Sequence, residues 1–291
     1  MFEKVQRKVE EEPKVDYQQL HKNAVTDLTK APPFPPIAIS IGLDDREYGG
    51  IRYPLRFGTF GNISMIKGEE KARKSFLKSL LLSCAIGGKS NNYTKDIEIT
   101  GHDLTNKWII DIDTEQDTYD AWLNASRIPQ MVGKLPPNYL YLKWREYTPQ
   151  ERIQLLEWLF MESEYKNNLG IVSLDGYVDF LKNFNDLEES SQFTQRLMKY
   201  TSLTKCHLTG VLHLNPNSDK GRGHIGTILQ QKCETVVIIK DMGEFSLITC
   251  QRARGKKFKD FTMRIDDNWM PYISDDDINN QEFEFKENRK K

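Results

Sequence analysis

Apolar residues recur along the chain in short runs separated by segments of helical periodicity. Each run is rich in β-branched or aromatic residues and is bounded by polar positions, which is typical of buried strands. Five such runs are expected to be strands, at 62–67, 108–113, 139–143, 170–175 and 207–212. Helices are expected at 74–86, from the end of the second run to about 131, and at 188–204. Strands that alternate with helices predict an α/β fold with a mainly parallel sheet and crossover helices.

One helix start is especially clear. Thr148 can cap the free backbone N–H groups, Pro149 suits the first turn, and Glu151 completes a capping box. Apolar residues then follow at helical spacing between 153 and 160. The sequence therefore predicts a helix that begins at Pro149.

The two ends of the chain differ from its middle. Residues 1–36 form a polar N-terminal arm that ends in a proline-rich segment, and residues 274–291 form a charged tail. The compact domain is expected at 37–273, with strands or an ordered lead-in at 37–60. A glycine-rich loop is predicted at 215–226, followed by antiparallel edge strands at 235–240, 245–251 and 258–265.

Composition restricts the class of protein. The 291 residues carry a net charge of −1, with 38% hydrophobic and 29% charged residues, which indicates a soluble globular chain. No segment has the apolarity of a membrane span or of a signal peptide, so a cytoplasmic protein without a membrane partner is expected. The near-neutral charge excludes a uniformly basic nucleic-acid-binding surface. The four cysteines lack CxxC spacing and are expected to be reduced thiols.

The segment GEEKARKS at 68–75 follows a strand and opens a helix, and it matches the phosphate-loop pattern G-x-x-x-x-G-K-[ST] except at Arg73. In such a loop, backbone N–H groups and the helix dipole surround a phosphate. Lys74 is expected to reach the β- and γ-phosphates of ATP, and Ser75 to bind Mg²⁺. Nucleotide contacts are expected from Gly68, Glu69, Glu70, Lys71, Ala72, Arg73, Lys74, Ser75 and Phe76.

Arg73 departs from this pattern, in which glycine lets the backbone approach the phosphate. We expect Arg73 to keep an ordinary helical backbone and to point its side chain to solvent or toward phosphate. The alternative is a charged helix start with coincidental spacing.

Three strand ends carry further candidates. Asp175 is expected to hold Mg²⁺ together with Ser75, unless it merely ends its strand before Gly176. Glu115 is the expected general base for the attacking water, with Asp113 as the competing candidate. His213 is expected to sense the γ-phosphate, although a lone histidine at a strand end is more often structural.

Several stretches, taken in their order along the chain, resemble those of RecA-like P-loop ATPases, which are related to RepA-type and DnaB-type replicative helicases. The resemblance is strongest to an AAA-class family common in Bacteroidetes, their plasmids and phages. The stretches are FGNISMIKG (60–68), KSFL (74–77), DTEQ (113–116), LDG (174–176), LHLN (212–215) and GRGHIGT (221–227). The resemblance implies a RecA-like three-layer sandwich and a hexameric ring or filament with ATP between subunits. It also implies that Arg252 and Arg254 reach the neighbouring subunit's γ-phosphate; the alternative is a basic β-turn.

The same resemblance implies that loops at 177–189 and 215–226 bind single-stranded DNA. Lys182, Lys220 and Arg222 are the residues expected to contact it, although acidic residues surround Lys182. The leading expectation is an ATP-hydrolysing motor, helicase or loader in replication or recombination, in a bacterial cell or a phage-infected host. The alternatives are an ATP-binding regulatory or assembly module without translocation, and a structural interaction protein with a degenerate loop.

Overall fold

The computed structural model describes residues 16–30, 36–87, 98–215 and 218–274. By its internal contacts the chain divides into a unit at Met1–Phe34 and a larger unit at Pro35–Lys291. The smaller unit contains helix α1 (Tyr17–Ala24), whose residues are all exposed and whose start is capped by Asp16. The rest of the predicted arm, at 1–15 and 31–35, and the predicted tail after Ser274 lie outside the described residues.

The larger unit alternates strands and helices. Its strands are β1 (Ile37–Tyr48), β2 (Ile51–Thr59), β3 (Ser64–Gly68), β4 (Ile99–Gly101), β5 (Trp108–Asp113), β6 (Tyr139–Lys143), β7 (Leu169–Asp175), β8 (His207–His213), β9 (Thr235–Asp241), β10 (Ser246–Ala253), β11 (Phe261–Ile265) and β12 (Pro271–Ile273). Its helices are α2 (Lys74–Gly87), α3 (Thr118–Val132), α4 (Pro149–Met161), α5 (Leu187–Thr204) and α6 (Gly223–Lys232), with 3-10 turns at Lys166–Asn168 and Tyr177–Phe180.

Nine of the described strands form one sheet in the order β12-β11-β10-β9-β3-β8-β7-β5-β6. The strands from β9 to β6 in this order run parallel, and β10, β11 and β12 are antiparallel to their neighbours. The prediction of a mainly parallel α/β sheet is therefore confirmed, as is that of antiparallel strands at the C-terminal edge for β10 and β11. The prediction that 235–240 is an antiparallel edge strand is wrong, because β9 lies inside the sheet and runs parallel to β3. β12 was not predicted, because three residues are too short a run to show a period.

Each face of this sheet is covered by its own hydrophobic core. Successive residues of a strand point to opposite faces, so Ile109 packs with α2 and α3 while Ile110 packs with α4, α5 and α6. Helices thus cover both faces, which is why the parallel strands are nearly continuous apolar runs. The result is a three-layer α/β arrangement.

A second sheet joins the first of these cores. β2, β1 and β4 form it in that order, and all pairings are antiparallel. Ile39 and Phe57 are fully buried in the core that contains α2. Strands were one of the two expectations for 37–60, and the structure places two of them there.

Two local predictions have opposite outcomes. The capping box at the start of α4 is present, with the Glu151 N–H donating to Thr148 Oγ1 and the Thr148 N–H donating to the Glu151 carboxylate. The predicted loop at 215–226 is too long, because α6 already begins at Gly223, and residues 216 and 217 of the loop lie outside the described residues. Gly223 has φ of 68°, a conformation that glycine adopts without strain. Glycines at 221, 223 and 226 give the start of α6 the composition of a loop.

Within the described ranges, no helix combines the length and apolarity needed to cross a lipid bilayer. All four cysteines are buried free thiols.

Candidate functional site

The strand register brings the predicted site residues to one edge of the sheet. Gly68 at the end of β3 lies opposite His213 at the end of β8, and Asp113 at the end of β5 lies opposite Asp175 at the end of β7. In open parallel sheets, the carboxyl ends of the strands form the crevice in which ligands bind. The ends of three other strands therefore meet beside the 68–75 loop.

A cavity of about 330 Å³ opens at this edge. It is lined by the 68–75 loop and the start of α2, by the ends of β5, β7 and β8, and by one face of α3. The lining residues are Lys71, Arg73, Lys74, Ser75, Phe76, Glu115, Gln116, Asp120, Leu123, Asn124, Arg127, Asp175 and His213.

The backbone of the 68–75 loop differs from the expectation at Arg73. Lys71 and Arg73 have φ values of 62° and 65°, in the left-handed region, so Arg73 does not keep a helical backbone. Alternation of left-handed and ordinary residues turns successive N–H groups toward one concave side, which is the geometry of an anion-binding nest. The departure from glycine thus changes the residue but keeps the glycine-like conformation.

The Arg73 side chain does not extend freely into solvent, because its guanidinium is bound to protein acceptors. Its Nη1 donates to Asp241 Oδ1 at 3.1 Å and to Ser246 Oγ at 3.2 Å, and its Nη2 donates to the Gly243 carbonyl at 2.6 Å. These acceptors lie in and around the turn between β9 and β10. The guanidinium therefore fastens the loop to that turn.

The concave side of the loop holds unpaired donors. Among the described residues, the backbone N–H groups of Arg73, Lys74 and Ser75 donate to no protein acceptor. Gly68 sits so close to β9 that a Cβ atom there would lie 2.7 Å from the Ile239 carbonyl oxygen. The loop thus offers a row of free donors at the start of a helix, where an anion is stabilised.

Lys74 is folded into this loop. Its side chain is buried and its Nζ donates to the Glu69 carbonyl at 2.5 Å. Burial lowers the pKa of Lys74, while the charges of Asp175, Glu115 and Glu70 act in the opposite direction. A buried ammonium bound to a single carbonyl has donors left for an anionic ligand.

Ser75 and Asp175 lie in contact. Ser75 Oγ donates to Asp175 Oδ2 at 3.1 Å, so a hydroxyl and a carboxylate of the predicted magnesium pair face each other. Mg²⁺ in proteins is commonly bound through one or two such oxygens, with water and substrate phosphates as its other ligands. The donor set fits Mg²⁺ bound together with a phosphate.

A buried lysine that the sequence analysis missed lies behind this pair. Lys78 Nζ is 3.0 Å from Asp175 Oδ2 and 3.0 Å from Asp111 Oδ1. Burial lowers the pKa of Lys78, but the charges of Asp111 and Asp175 more than offset this and hold the pKa above its usual range. Its place one helical turn after Lys74 and Ser75 is the signal that could have suggested it.

The two carboxylates predicted as candidate bases differ in their surroundings. Asp113 Oδ1 accepts the N–H groups of Glu115 and Gln116, both at 2.8 Å, and its Oδ2 accepts the Tyr141 hydroxyl at 2.5 Å. Asp113 is buried and fully used in holding the turn. Glu115 lines the cavity, and its Oε1 lies 3.4 Å from Nε2 of His213.

One face of α3 also belongs to the cavity, which the sequence analysis did not anticipate. Asp120, Asn124 and Arg127 follow Gln116 at spacings of three and four residues, so they share the helix face that leads away from Glu115. That spacing was the available signal.

Arg252 and Arg254 lie near the start of β9, away from the carboxyl ends of the parallel strands where the cavity opens. Arg252 is paired with Val236 near the start of β9 and donates to the Gln230 carbonyl at 2.6 Å. Arg254 donates to Asn62 Oδ1 at 3.2 Å and to the Lys232 carbonyl at 3.0 Å. Neither lines the cavity of its own chain, and their action on a neighbouring subunit stays a prediction.

The two loops predicted to bind DNA touch each other through Phe184. The His224 N–H donates to the Phe184 carbonyl at 3.0 Å, and the Arg222 guanidinium lies 4.9 Å from the centre of the Phe184 ring. Lys182, Lys220 and Arg222 are all exposed. The structure brings the loops together but places them outside the residues that line the cavity.

No protein-family model matches this chain. A search of curated proteins finds no match either.

Proposed function

We propose that this chain is a RecA-like ATPase that binds Mg·ATP in the cavity at the end of β3 and hydrolyses it. The observation that carries the proposal is the lining of that cavity. Lys74, Ser75, Glu115, Asp175 and His213 come from four distant parts of the sequence and meet around one volume of about 330 Å³.

The topology supports the proposal. From β3 the chain passes through α2 and β4 to β5 on one side, whereas α6 leads from β8 to β9 on the other side of β3. β3 therefore lies where the direction of the connections reverses, which is where open α/β sheets bind their ligands. A glycine-ended strand, a loop and a helix at that point suit a phosphate group.

Each residue has a role that follows from its position. The N–H groups of Arg73, Lys74 and Ser75 and the Lys74 ammonium would hold the phosphates. Ser75 and Asp175 would hold Mg²⁺, which supplies charge neutralisation of the phosphate oxygens when bound. Glu115 would accept the proton of the attacking water, and His213, 3.4 Å from Glu115, would report the state of the site to the 215–222 loop that follows it.

Two variants test the proposal in the full-length chain. Lys74→Ala is expected to weaken binding of Mg·ATP by at least tenfold, because it removes the buried ammonium that lines the cavity beside these N–H groups. Glu115→Gln is expected to keep nucleotide binding and to lose most of the hydrolysis. Lys199→Ala and Glu157→Gln, at exposed positions that do not line the cavity, are the matched controls. Unchanged nucleotide affinity in Lys74→Ala would contradict the ATP site.

We further propose that the ATPase acts on single-stranded DNA. Residues 218–222 expose Lys220 and Arg222, and the Arg222 N–H donates to the His213 carbonyl at 2.8 Å, so a change at the cavity has a short path to a candidate DNA contact. The test is the rate of ATP hydrolysis with and without added single-stranded DNA, and the size of the particle with and without Mg·ATP. Stimulation and assembly into a ring or filament are expected.

One observation favours the regulatory alternative. Glu189 accepts the backbone N–H groups of Lys182 and Asn183 at 2.9 and 3.0 Å, so the 177–189 loop carries a carboxylate next to its candidate DNA contact. A module that binds ATP and assembles without translocating would show nucleotide-dependent particle size and no stimulation by DNA. The same two measurements therefore separate the two functions.

A further inference from the structure

Arg127 on α3 is buried beside the cavity without a charged partner. Only 9% of the residue is exposed, and its guanidinium lies 3.7 Å from the centre of the Phe76 ring. Its Nη1 atom is inaccessible to solvent and forms no hydrogen bond, and no ion pair joins it to any other part of the chain that the structure describes. Arg127 also lines the cavity. A buried cation therefore faces a cavity in which anion-binding groups are already present.

Burial of an unpaired charge is costly, so this arrangement calls for an anion. Burial lowers the pKa of Arg127, while Tyr141 acts in the opposite direction. The contact with the Phe76 ring offsets only part of the cost of burying the charge. Buried charges in proteins are normally paired. The Phe76 ring attracts the guanidinium but cannot accept its hydrogen bonds.

The position of the ring links Arg127 to the 68–75 loop. Phe76 follows Ser75 directly on α2. The Phe76 ring is also stacked on Trp269, which lies between β11 and β12. Arg127 lies on the face of α3 that leads away from Glu115. The guanidinium thus approaches the cavity from α3, whereas Lys74 approaches it from α2.

We infer that Arg127 is a second cationic ligand of the nucleotide and binds a phosphate group from the α3 side of the cavity. This inference rests on the proposed function of the same cavity. A guanidinium offers a planar fork of N–H donors that fits phosphate oxygens, whereas the Lys74 ammonium acts as a point charge. Phe76 would hold the fork in place before the nucleotide arrives, which reduces the entropy lost on binding.

The test compares wild type with Arg127→Met in the full-length chain, by calorimetric titration with Mg·ATP, Mg·ADP, inorganic tripolyphosphate and adenosine. Methionine keeps an apolar stem against Phe76 and removes the charge. Affinity for the three phosphate-bearing ligands is expected to fall about 10- to 100-fold, with adenosine unchanged. Arg196→Met, at an exposed position on α5, is the matched control and should bind like wild type.

A structural role for Arg127 predicts different results. Thermal unfolding of the ligand-free Arg127→Met variant should occur at the wild-type temperature or above it, because an unpaired buried charge is removed. A lower unfolding temperature with unchanged affinity would overturn the inference, because Arg127 would then only support packing. Loss of affinity for ATP but not for tripolyphosphate would also overturn it, since the contact would then lie on the base or ribose.

The two proposals fail in distinguishable ways. If wild type binds neither Mg·ATP nor tripolyphosphate, the ATP site is wrong, and the Arg127 inference fails with it. If wild type binds both and Arg127→Met binds them within twofold, only the Arg127 inference is wrong. Arg127→Lys keeps the charge without the planar fork and is expected to bind with intermediate affinity. Arg127→Lys serves as the second variant should Arg127→Met not fold. Wild-type affinity of Arg127→Lys for the phosphate-bearing ligands would contradict the role of the planar guanidinium.

Discussion

Lys78 Nζ lies 3.0 Å from Asp175 Oδ2, and the same ammonium lies 3.0 Å from Asp111 Oδ1. One buried cation thus stands between two buried carboxylates directly behind the candidate magnesium pair. Burial raises the pKa of Asp111, while the charge of Lys78 acts against that rise. The arrangement keeps Asp175 in a fixed position next to Ser75 without leaving its charge uncompensated.

We expect Lys78→Met to destabilise the protein by about 3–5 kcal/mol, because it leaves two buried carboxylates without their cation. The free energy of unfolding in urea at neutral pH measures this. The double variant Lys78→Met/Asp111→Asn should recover part of the loss, since it removes one of the stranded charges. Lys199→Met, an exposed substitution on α5, is the control, and equal unfolding midpoints for Lys78→Met and this control would refute the role of the ion pair.

Much of the fold could be predicted because its central strands are buried on both faces. β5, β7, β8 and β9 are nearly continuous apolar runs, a pattern that only a doubly covered sheet requires. The start of α4 was equally predictable, because its capping box is local and independent of tertiary contacts. The β1–β2–β4 sheet was harder, since β1 carries charged residues and pairs with β2 through several register shifts.

The candidate site was predictable where its residues end strands, and unpredictable where they act from helices. Glu115, Asp175 and His213 each follow an apolar run, so the parallel sheet alone brings them together. Lys78 and Arg127 lie inside helices, where a charged residue usually faces solvent. Only the packing of α2 against α3 and the sheet reveals that both are buried.

The left-handed conformation of Arg73 has a measurable cost. A non-glycine residue loses about 1 kcal/mol or more in this region, and here three hydrogen bonds from the guanidinium offset that loss. Arg73→Ala and Arg73→Gly both lose those bonds, but only glycine relieves the backbone. We therefore expect Arg73→Gly to be more stable than Arg73→Ala by about 1 kcal/mol in urea unfolding.

The matched control variants, Arg196→Gly and Arg196→Ala, should show the opposite order of stability. Arg196 lies within α5, where alanine is favoured over glycine by about 1 kcal/mol. If alanine is the better residue at both positions, Arg73 does not adopt the left-handed conformation in solution.

Lys67 connects β3 to residues 218–222 and to α6. It is fully buried, its Nζ donates to the Asp219 carbonyl at 2.6 Å and to Gln230 Oε1 at 2.8 Å, and burial lowers its pKa to about 8. Lys67→Met removes both bonds and also a costly buried charge, so we expect a change in global stability within about 1 kcal/mol. The amides of 218–222 should nevertheless exchange at least several-fold faster, because the loop loses its anchor.

Lys240 provides the control for this prediction. Its ion pair with the Asp219 carboxylate at 3.2 Å joins two exposed side chains, so Lys240→Met should alter exchange of the loop far less. Hydrogen exchange read by mass spectrometry compares the two variants. Equal protection of 218–222 in wild type and Lys67→Met would show that the loop is held by other contacts.

His207 is expected to make stability fall with decreasing pH. It is fully buried; Nδ1 donates to the Thr59 carbonyl at 3.2 Å and Nε2 contacts Ser64 Oγ at 2.9 Å. Burial lowers the pKa of His207 from 6.5 to about 4, so between these values the unfolded chain binds the proton and the folded chain does not. Stability contributed by the neutral ring is therefore complete above pH 6.5 and is lost as pH falls toward 4, by about 3 kcal/mol in all.

The measurement is the free energy of unfolding of wild type and of His207→Asn, from pH 7.5 to pH 4. Other carboxyl groups titrate in both proteins, so the difference between the two curves isolates His207. Asparagine cannot gain a proton in this range, and a Cβ at Gly58 would lie 2.1 Å from the His207 ring, so the site is too tightly packed to hydrate a charge easily. We expect the advantage of wild type over His207→Asn to shrink steadily below pH 6.5. His224→Asn, at an exposed position, is the control, and a difference between wild type and His207→Asn that stays constant with pH would mean that His207 accepts its proton in the folded protein as readily as in the unfolded chain.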